Sequence, residues 1–269
     1  MERWIYDEEH EQFRASIAAW LEAEIVPKYD EWERAGIVPR EIWRAGGAQG
    51  FLGMDVAAEH GGGGAPDWRF NAVLNEAFGA AGTPGLAFAL HNDVVIPYFT
   101  RLGTSEQQER WLPGMVRGEL IGAIAMSEPG AGSDLASIAT TAKDAGDHWV
   151  LNGSKTFISN GILADVVIVV ARTGDEAGHG SLSLLVVERG AAGFERGRNL
   201  DKIGMHAQDT AELHFTDVRI PKDHLLGTQG RAFHHLMEGL AQERLVVAVG
   251  GYAGTNEIMK DLIGRSMGF

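Results

Sequence analysis

The spacing of apolar residues changes twice along this 269-residue chain, and those two changes constrain its fold more than any single motif. From Asp7 to about Arg34, the residues Phe13, Ile17, Trp20, Leu21, Ile25 and Tyr29 recur three and four positions apart. That is one apolar stripe on a helix. Pro27 falls inside it and predicts a kink, because proline has no N–H for the helical ladder. Further helices are predicted from about Pro66 to Ala81 and over roughly Leu86 to Leu102. Another follows Thr104, which with Gln107 forms a capping box. The loop HGGGGAP, His60 to Pro66, separates two of these elements. Near Gly122 the period shortens. The runs IGAIAMS, HWVLNGSKTFIS, DVVIVVAR, SLSLLVVE and AELHFTDVRI follow, bounded by Gly, Asn and Asp. With no long helix between them, they predict an antiparallel barrel or sandwich. After about Gly227 helical spacing returns at Phe233, Leu236, Met237, Leu240, Leu245 and Val246.

Helices, then strands, then a helix is an α+β chain in segregated blocks rather than a βαβ alternation. The expected parts are an N-terminal helical domain over residues 1–120, a middle antiparallel β-barrel domain over 121–228 and a C-terminal helical region over 229–269. A single terminal helix cannot bury its own stripe. It must pack on the N-terminal helices or on a second subunit, and Leu236, Leu240 and Val247 are expected to be its exposed apolar residues.

Charge and composition remove several functions. Lys plus Arg number 23 against 37 Asp plus Glu, a net charge of −14. Such a surface repels nucleic-acid phosphates and anionic lipid, so no nucleic-acid partner is expected. Cysteine is absent, which excludes disulfides, thiolate metal sites and a Cys nucleophile. The N-terminus MERWIYDEEHEQF has no apolar core of a signal peptide, and no apolar run approaches 18 residues. No membrane association is expected, and the expected location is cytoplasmic. The ten histidines show no metal spacing; His234 and His235 are adjacent and would point about 100° apart on a helix. Glycine is the one excess, 36 residues in clusters, which points to turns and close backbone approaches to a ligand.

Three segments carry candidate chemistry. AMSEPGAGSD, Ala125 to Asp134, ends a strand in a turn of bare backbone N–H groups able to bind a pyrophosphate or a ring edge. By composition alone, an ordinary Gly-rich hairpin turn is the better reading. NGSKTFISNG, Asn152 to Gly161, has Asn-Gly at both ends, a hairpin signal. Its Phe157 either packs in the core or stacks on a flat ring, and core is favoured by type alone. In LAQERLVVAVG, Leu240 to Gly250, Glu243 lies on an otherwise apolar helix face. A carboxylate there has a raised pKa and can act as a base. Spacing alone favours a solvated Glu pairing with Arg244 or with a partner helix.

Taken together, and with the terminal YAGTNEIMKDLIGR, these motifs resemble the acyl-CoA dehydrogenase family, in the family's own order. DKIGMHAQDTAELHF and GTSEQQERWLPGMVRGE extend the likeness, and FIS with QERLVVA places it nearest the long-chain-like branch. The resemblance implies an N-terminal helical domain, a β-barrel and a four-helix bundle. It also implies a homotetramer holding FAD and passing electrons from an acyl-CoA substrate to electron-transfer flavoprotein. By similarity Ala125, Met126, Ser127, Gly132 and Ser133 line the flavin, and Ser133 also meets the CoA part. Phe157, Ile158 and Ser159 cover another flavin edge, and Thr255, Asn256 and Glu257 approach the phosphate or adenine side. Gly178, His179, His234, Arg244, Ala253 and Gly254 are the implied substrate contacts. Many members carry the catalytic base in YEGT, where this chain has Ala253; others carry it at QER, where Glu243 matches. The Ala253 N–H would still donate to the thioester oxygen. The family's Arg-rich FG motif and QLHGG motif are missing, and Val249-Gly250-Gly251-Tyr252 joins the QER helix directly to the terminal motif. An inactive, flavin-poor remnant and an acyl-CoA oxidase using O2 are the alternative readings.

Overall fold

The computed structural model describes residues 5–174 and 178–254. Helices occupy the first part: α1 (Glu8–Trp20), α2 (Val26–Ala35), α3 (Arg40–Ala48), α4 (Trp68–Ala80), α5 (Ile96–Leu102) and α6 (Ser105–Val116). The kink expected at Pro27 takes the form of a π-helical turn, Leu21–Ile25, just ahead of the proline. The same device recurs at Leu90–Val95 ahead of Pro97. In each case the wider turn accommodates a residue that has no N–H and whose ring crowds the carbonyl four residues back. The capping box of α6 is present, with Gln107 N–H donating to Thr104 Oγ1 at 3.3 Å and Thr104 N–H to Gln107 Oε1 at 3.0 Å. Helix α3, which contains Gly46 and Gly47, is not among the helices predicted from spacing. In the fold these two glycines are contact points: a Cβ at Gly46 would lie 2.4 Å from the Phe88 ring, and one at Gly47 2.5 Å from the Arg117 backbone.

Eight strands follow: β1 (Gly122–Ala125), β2 (Thr141–Asp144), β3 (His148–Ser159), β4 (Val166–Arg172), β5 (Leu182–Glu188), β6 (Phe194–Asn199), β7 (Thr210–Pro221) and β8 (Leu225–Leu226). They form one sheet in the order β6-β7-β3-β2-β4-β5-β8. The expected closed antiparallel barrel is corrected on two counts. The sheet is open, ending in β6 and β8, and it is mixed. β1 runs parallel to β4 along Val166–Val169, and β2 meets the same edge of β4 in parallel at Arg172. Side-chain alternation has the same period in either direction, so spacing cannot report strand polarity. What it does report is burial: VVIVVA of β4 is buried throughout, as befits a strand covered on both faces. The hairpin expected at Asn152-Gly153 is also corrected. β3 runs straight through, with a register shift there, and a Cβ on Gly153 would come 2.4 Å from Thr140 Oγ1. The second Asn-Gly, at Asn160, does end the strand in a left-handed residue.

Helix α7 (Ala232–Gly254) crosses Val249-Gly250-Gly251-Tyr252 without a break. It packs against α4 and the Leu90–Val95 turn. Of its three expected exposed residues only Val247 is exposed; Leu236 is buried and Leu240 half-buried. Among the described residues no helix is long and apolar enough to cross a membrane.

Candidate functional site

Two walls face each other across a cavity of about 660 Å³, within the usual 300–1,000 Å³ of small-molecule sites. The first wall grows from the end of β1. Glu128 and Ala131 exchange backbone hydrogen bonds of 2.7 and 3.2 Å, which folds Pro129-Gly130 into a tight turn. The Glu128 carboxylate points inward. It accepts from Ala139 N–H at 2.7 Å, Thr140 N–H at 3.0 Å and Lys155 Nζ at 2.8 Å. Lys155 is fully buried and also donates to Met126 O at 3.0 Å. Burial pushes the Glu128 carboxyl up, but these donors outweigh it and hold it below its ordinary value. On the outer side, a Cβ built on Gly130 or Gly132 would meet nothing within 4 Å. These glycines therefore leave backbone open rather than make room for packing.

β3 completes this wall. Thr156 N–H donates to Ser127 O at 2.9 Å and Ser127 Oγ to Thr156 O at 2.6 Å, so the first two motifs are stitched edge to edge. The β3–β7 register slips between Lys155 and Ile158. Phe157 sits in that bulge with φ 58°, and the residue is 71% exposed. A bulge re-aims a side chain, and a left-handed aromatic residue costs about 1–3 kcal/mol, which is the kind of strain that gathers at functional sites. The core reading of Phe157 is thereby excluded: the ring is an open flat surface beside the turn.

The second wall is α7. Glu243 is half-buried, and its Oε1 accepts from the Tyr98 hydroxyl at 2.9 Å. Burial raises its pKa, while Tyr98 and Arg101 act in the opposite direction. One residue earlier, Gln242 Nε2 donates to Asp93 O at 3.0 Å. That carbonyl lies four residues before Pro97, which has no N–H to offer it, so the proline's missing bond becomes the docking point for the QER helix. The Asp93 carboxylate is buried among neutral donors, Trp68 Nε1 at 2.9 Å, Asn71 Nδ2 at 2.5 Å and Asn75 Nδ2 at 3.0 Å. Burial lifts its pKa to about 6 despite them.

The expected site residues divide as follows. Met126, Ser127, Gly132 and Ser133 line the cavity from the turn, and Phe157, Ile158 and Ser159 from β3. Glu243 and Arg244 line it from α7, with Phe233, Leu236, Met237 and Leu240. Ala125 does not; its side chain is buried within the sheet. His234 is exposed, edge-on to Phe233 at 6.2 Å, and is not among the lining residues. Gly178 is in the β4–β5 connection, where its carbonyl accepts from Arg172 and Ser181, and His179 begins a short 3-10 turn there. Gly178 does not line the cavity. Ala253 and Gly254 are the last two residues of α7, and Thr255, Asn256 and Glu257 lie outside the described residues. Asp7, Glu9 and His10 bring ligating atoms within 4.8 Å of one another, but Asp7 is already paired with Arg69 and its N–H donates to His10 Nδ1.

Sequence reasoning misses Lys155, Tyr98 and Gln242. Lys155 leaves a signal, a lone cation in a strand otherwise bound for the core. Tyr98 leaves none, since a tyrosine in a helical stripe reads as core.

Two family models match the chain: the acyl-CoA dehydrogenase N-terminal domain over residues 7–119 and the middle domain over 123–218. The chain belongs to the acyl-CoA dehydrogenase family. It is 50% identical over 249 residues to the mitochondrial long-chain specific acyl-CoA dehydrogenase of Mus musculus, covering 91% of this chain and 57% of that protein. The crystal structure of an acyl-CoA dehydrogenase from Geobacillus kaustophilus superposes with a TM-score of 0.91 at 50% identity, covering 94% of this chain and 67% of that one. An acyl-CoA dehydrogenase complexed with FAD from Bacillus anthracis gives 0.86 at 30% identity, covering 93% and 43%. The chain thus spans little more than half the length of the mouse relative.

Proposed function

We propose that this chain is an FAD-dependent acyl-CoA dehydrogenase, taking hydrogen from Cα and Cβ of an acyl-CoA thioester to leave the 2-enoyl-CoA, with electron-transfer flavoprotein as acceptor. The observation that carries the reading is the pairing of Phe157 and Glu243 across one cavity: a strained, outward-facing flat ring on one wall and a half-buried carboxylate on the other. The residues fit a flavin. Gly130 and Gly132 leave backbone open beside Ser127 and Ser133, and Phe157 offers a face for a ring to lie against. The Ser127 hydroxyl proton is committed to Thr156 O, so toward a ligand Ser127 acts as an acceptor. When bound, the flavin supplies the acceptor for the β-hydride.

The chain's own residues do the rest. Leu236, Met237 and Leu240 present an apolar surface for an acyl chain. Glu243 removes the α-proton, and its partial burial raises the pKa toward the range where a carboxylate base is effective. Arg244, at the same cavity, is placed to meet an anionic part of the substrate. Self-association through α7 belongs to the same reading, since Leu245 and Val247 are exposed on it; a monomer by light scattering would remove that part.

The test is Glu243→Gln in protein reconstituted with FAD. Turnover of acyl-CoA should fall by about 10²–10⁴-fold with flavin content unchanged. Near-parent turnover would refute Glu243 as base. Protein that stays colourless after incubation with FAD would favour the flavin-poor remnant, which the direct junction of the QER helix to the terminal motif makes the second reading.

A further inference from the structure

The carboxylate proposed above as the base meets Tyr98 of α5, which none of the motifs quoted from the sequence contains. Tyr98 is fully buried on α5, and its hydroxyl donates to Glu243 Oε1 at 2.9 Å. The Tyr98 ring is itself clamped. The Arg101 guanidinium lies over it at 5.4 Å, and Arg101 Nε donates to Pro97 O at 3.1 Å at the start of the same helix. Gly239 stands one helical turn before Glu243. A Cβ there would come 2.8 Å from Glu243 Oε1, 3.2 Å from the Tyr98 hydroxyl and 3.4 Å from Arg101 Nη2. Any side chain at position 239 would therefore fill the space in which carboxylate, phenol and guanidinium meet.

We infer that Tyr98 is a positioning residue for Glu243, and that Gly239 is the notch that lets the carboxylate fold back onto it. With Oε1 committed to Tyr98, Oε2 takes no hydrogen bond among the described residues and is the oxygen left to receive a proton. The groups facing the carboxylate are Tyr98 and Arg101 from α5 and, along its own helix, Arg244 at the same cavity. Burial holds the Tyr98 phenol far above its ordinary value. It therefore remains a donor at any pH at which Glu243 titrates. A donor to the charged form favours that form, so Tyr98 keeps the base ionised in a pocket whose desolvation opposes ionisation.

The catalytic meaning of this arrangement rests on the reading of Glu243 as base, and its test does not. The measurement is the titration of Glu243 by carboxyl ¹³C NMR in flavin-free protein, its signal assigned by its loss in Glu243→Gln. Tyr98→Phe should raise the midpoint by about 1 pH unit, the tenfold change expected for losing one hydrogen bond to a charged group. Gly239→Ala should raise it in the same direction by displacing the carboxylate. An unchanged midpoint in folded Tyr98→Phe overturns the proposal. Should Tyr98→Phe not fold, an unchanged midpoint in Gly239→Ala overturns it instead. If the protein also turns over acyl-CoA, the acid limb of its pH–rate profile should move with the midpoint. Absence of turnover would count against the dehydrogenase reading and leave the titration result standing.

Discussion

The two walls of the cavity are built on opposite principles. The sheet wall is held from within: Lys155, Glu128, Ser127 and Thr156 lace two segments together through buried charge and backbone bonds. It is rigid enough to keep Phe157 in a left-handed conformation. The helix wall packs on α4, with residues such as Leu236 and Val246 buried, and its polar side chains at the cavity are fixed one at a time, Gln242 to the Asp93 carbonyl and Glu243 to Tyr98. Beyond them α7 leaves Leu245 and Val247 exposed. The difference shows what each wall has to do. A surface for a flat ring must be fixed before the ring arrives, whereas a base needs a carboxylate in a controlled environment on a helix that has partners still to meet.

If the sheet wall depends on its buried pair, breaking that pair should have the largest effect. Lys155→Met leaves the Glu128 carboxylate buried without its cation, at an expected cost of about 3–5 kcal/mol in urea unfolding. A loss under 1 kcal/mol would mean that the backbone donors alone hold the turn.

A pH comparison isolates the helix wall. Asp93, beneath the Gln242 anchor, has its pKa raised by burial from 3.8 to about 6. A raised carboxyl penalises the folded state only once it ionises. The penalty is therefore absent below about pH 4, grows as pH rises, and is complete above about 6. Asp93→Asn cannot ionise. Its stability relative to the parent should improve by on the order of 2 kcal/mol between pH 4 and pH 7, measured by paired unfolding curves. A constant difference across that range would show that Asp93 titrates normally.

The smallest stability effect belongs to Phe157→Gly. Glycine accepts the left-handed backbone, and the relief is partly offset by its greater chain entropy. The flavin-free protein should stay within about 1 kcal/mol of the parent or above it, while FAD affinity falls about tenfold through loss of ring contact. Undiminished FAD affinity would remove Phe157 from the site.

Much of the molecule is legible in the chain. The helix–strand–helix order follows from apolar spacing, because burial imposes a period of 3.6 or 2 wherever one face is covered. The turn at Glu128–Ala131 follows from its glycines and proline, and Glu243 stands out as a carboxylate on an apolar helix face. Family likeness brought Phe157 and Ser127 into one site, although residue type alone put Phe157 in the core.

What spacing cannot encode is direction, closure and long-range partnership. The parallel pairing of β1 with β4 has the same period as an antiparallel one. Nothing in the spacing marks Gly46 or Gly239; their role emerges only when Phe88 and Tyr98 come into contact range. Tyr98 and Glu243 are 145 residues apart, and no local pattern links them. Propensity, period and turn chemistry act between near neighbours and are written in the sequence; the environment of the carboxylate is made by groups that only the packed fold assembles.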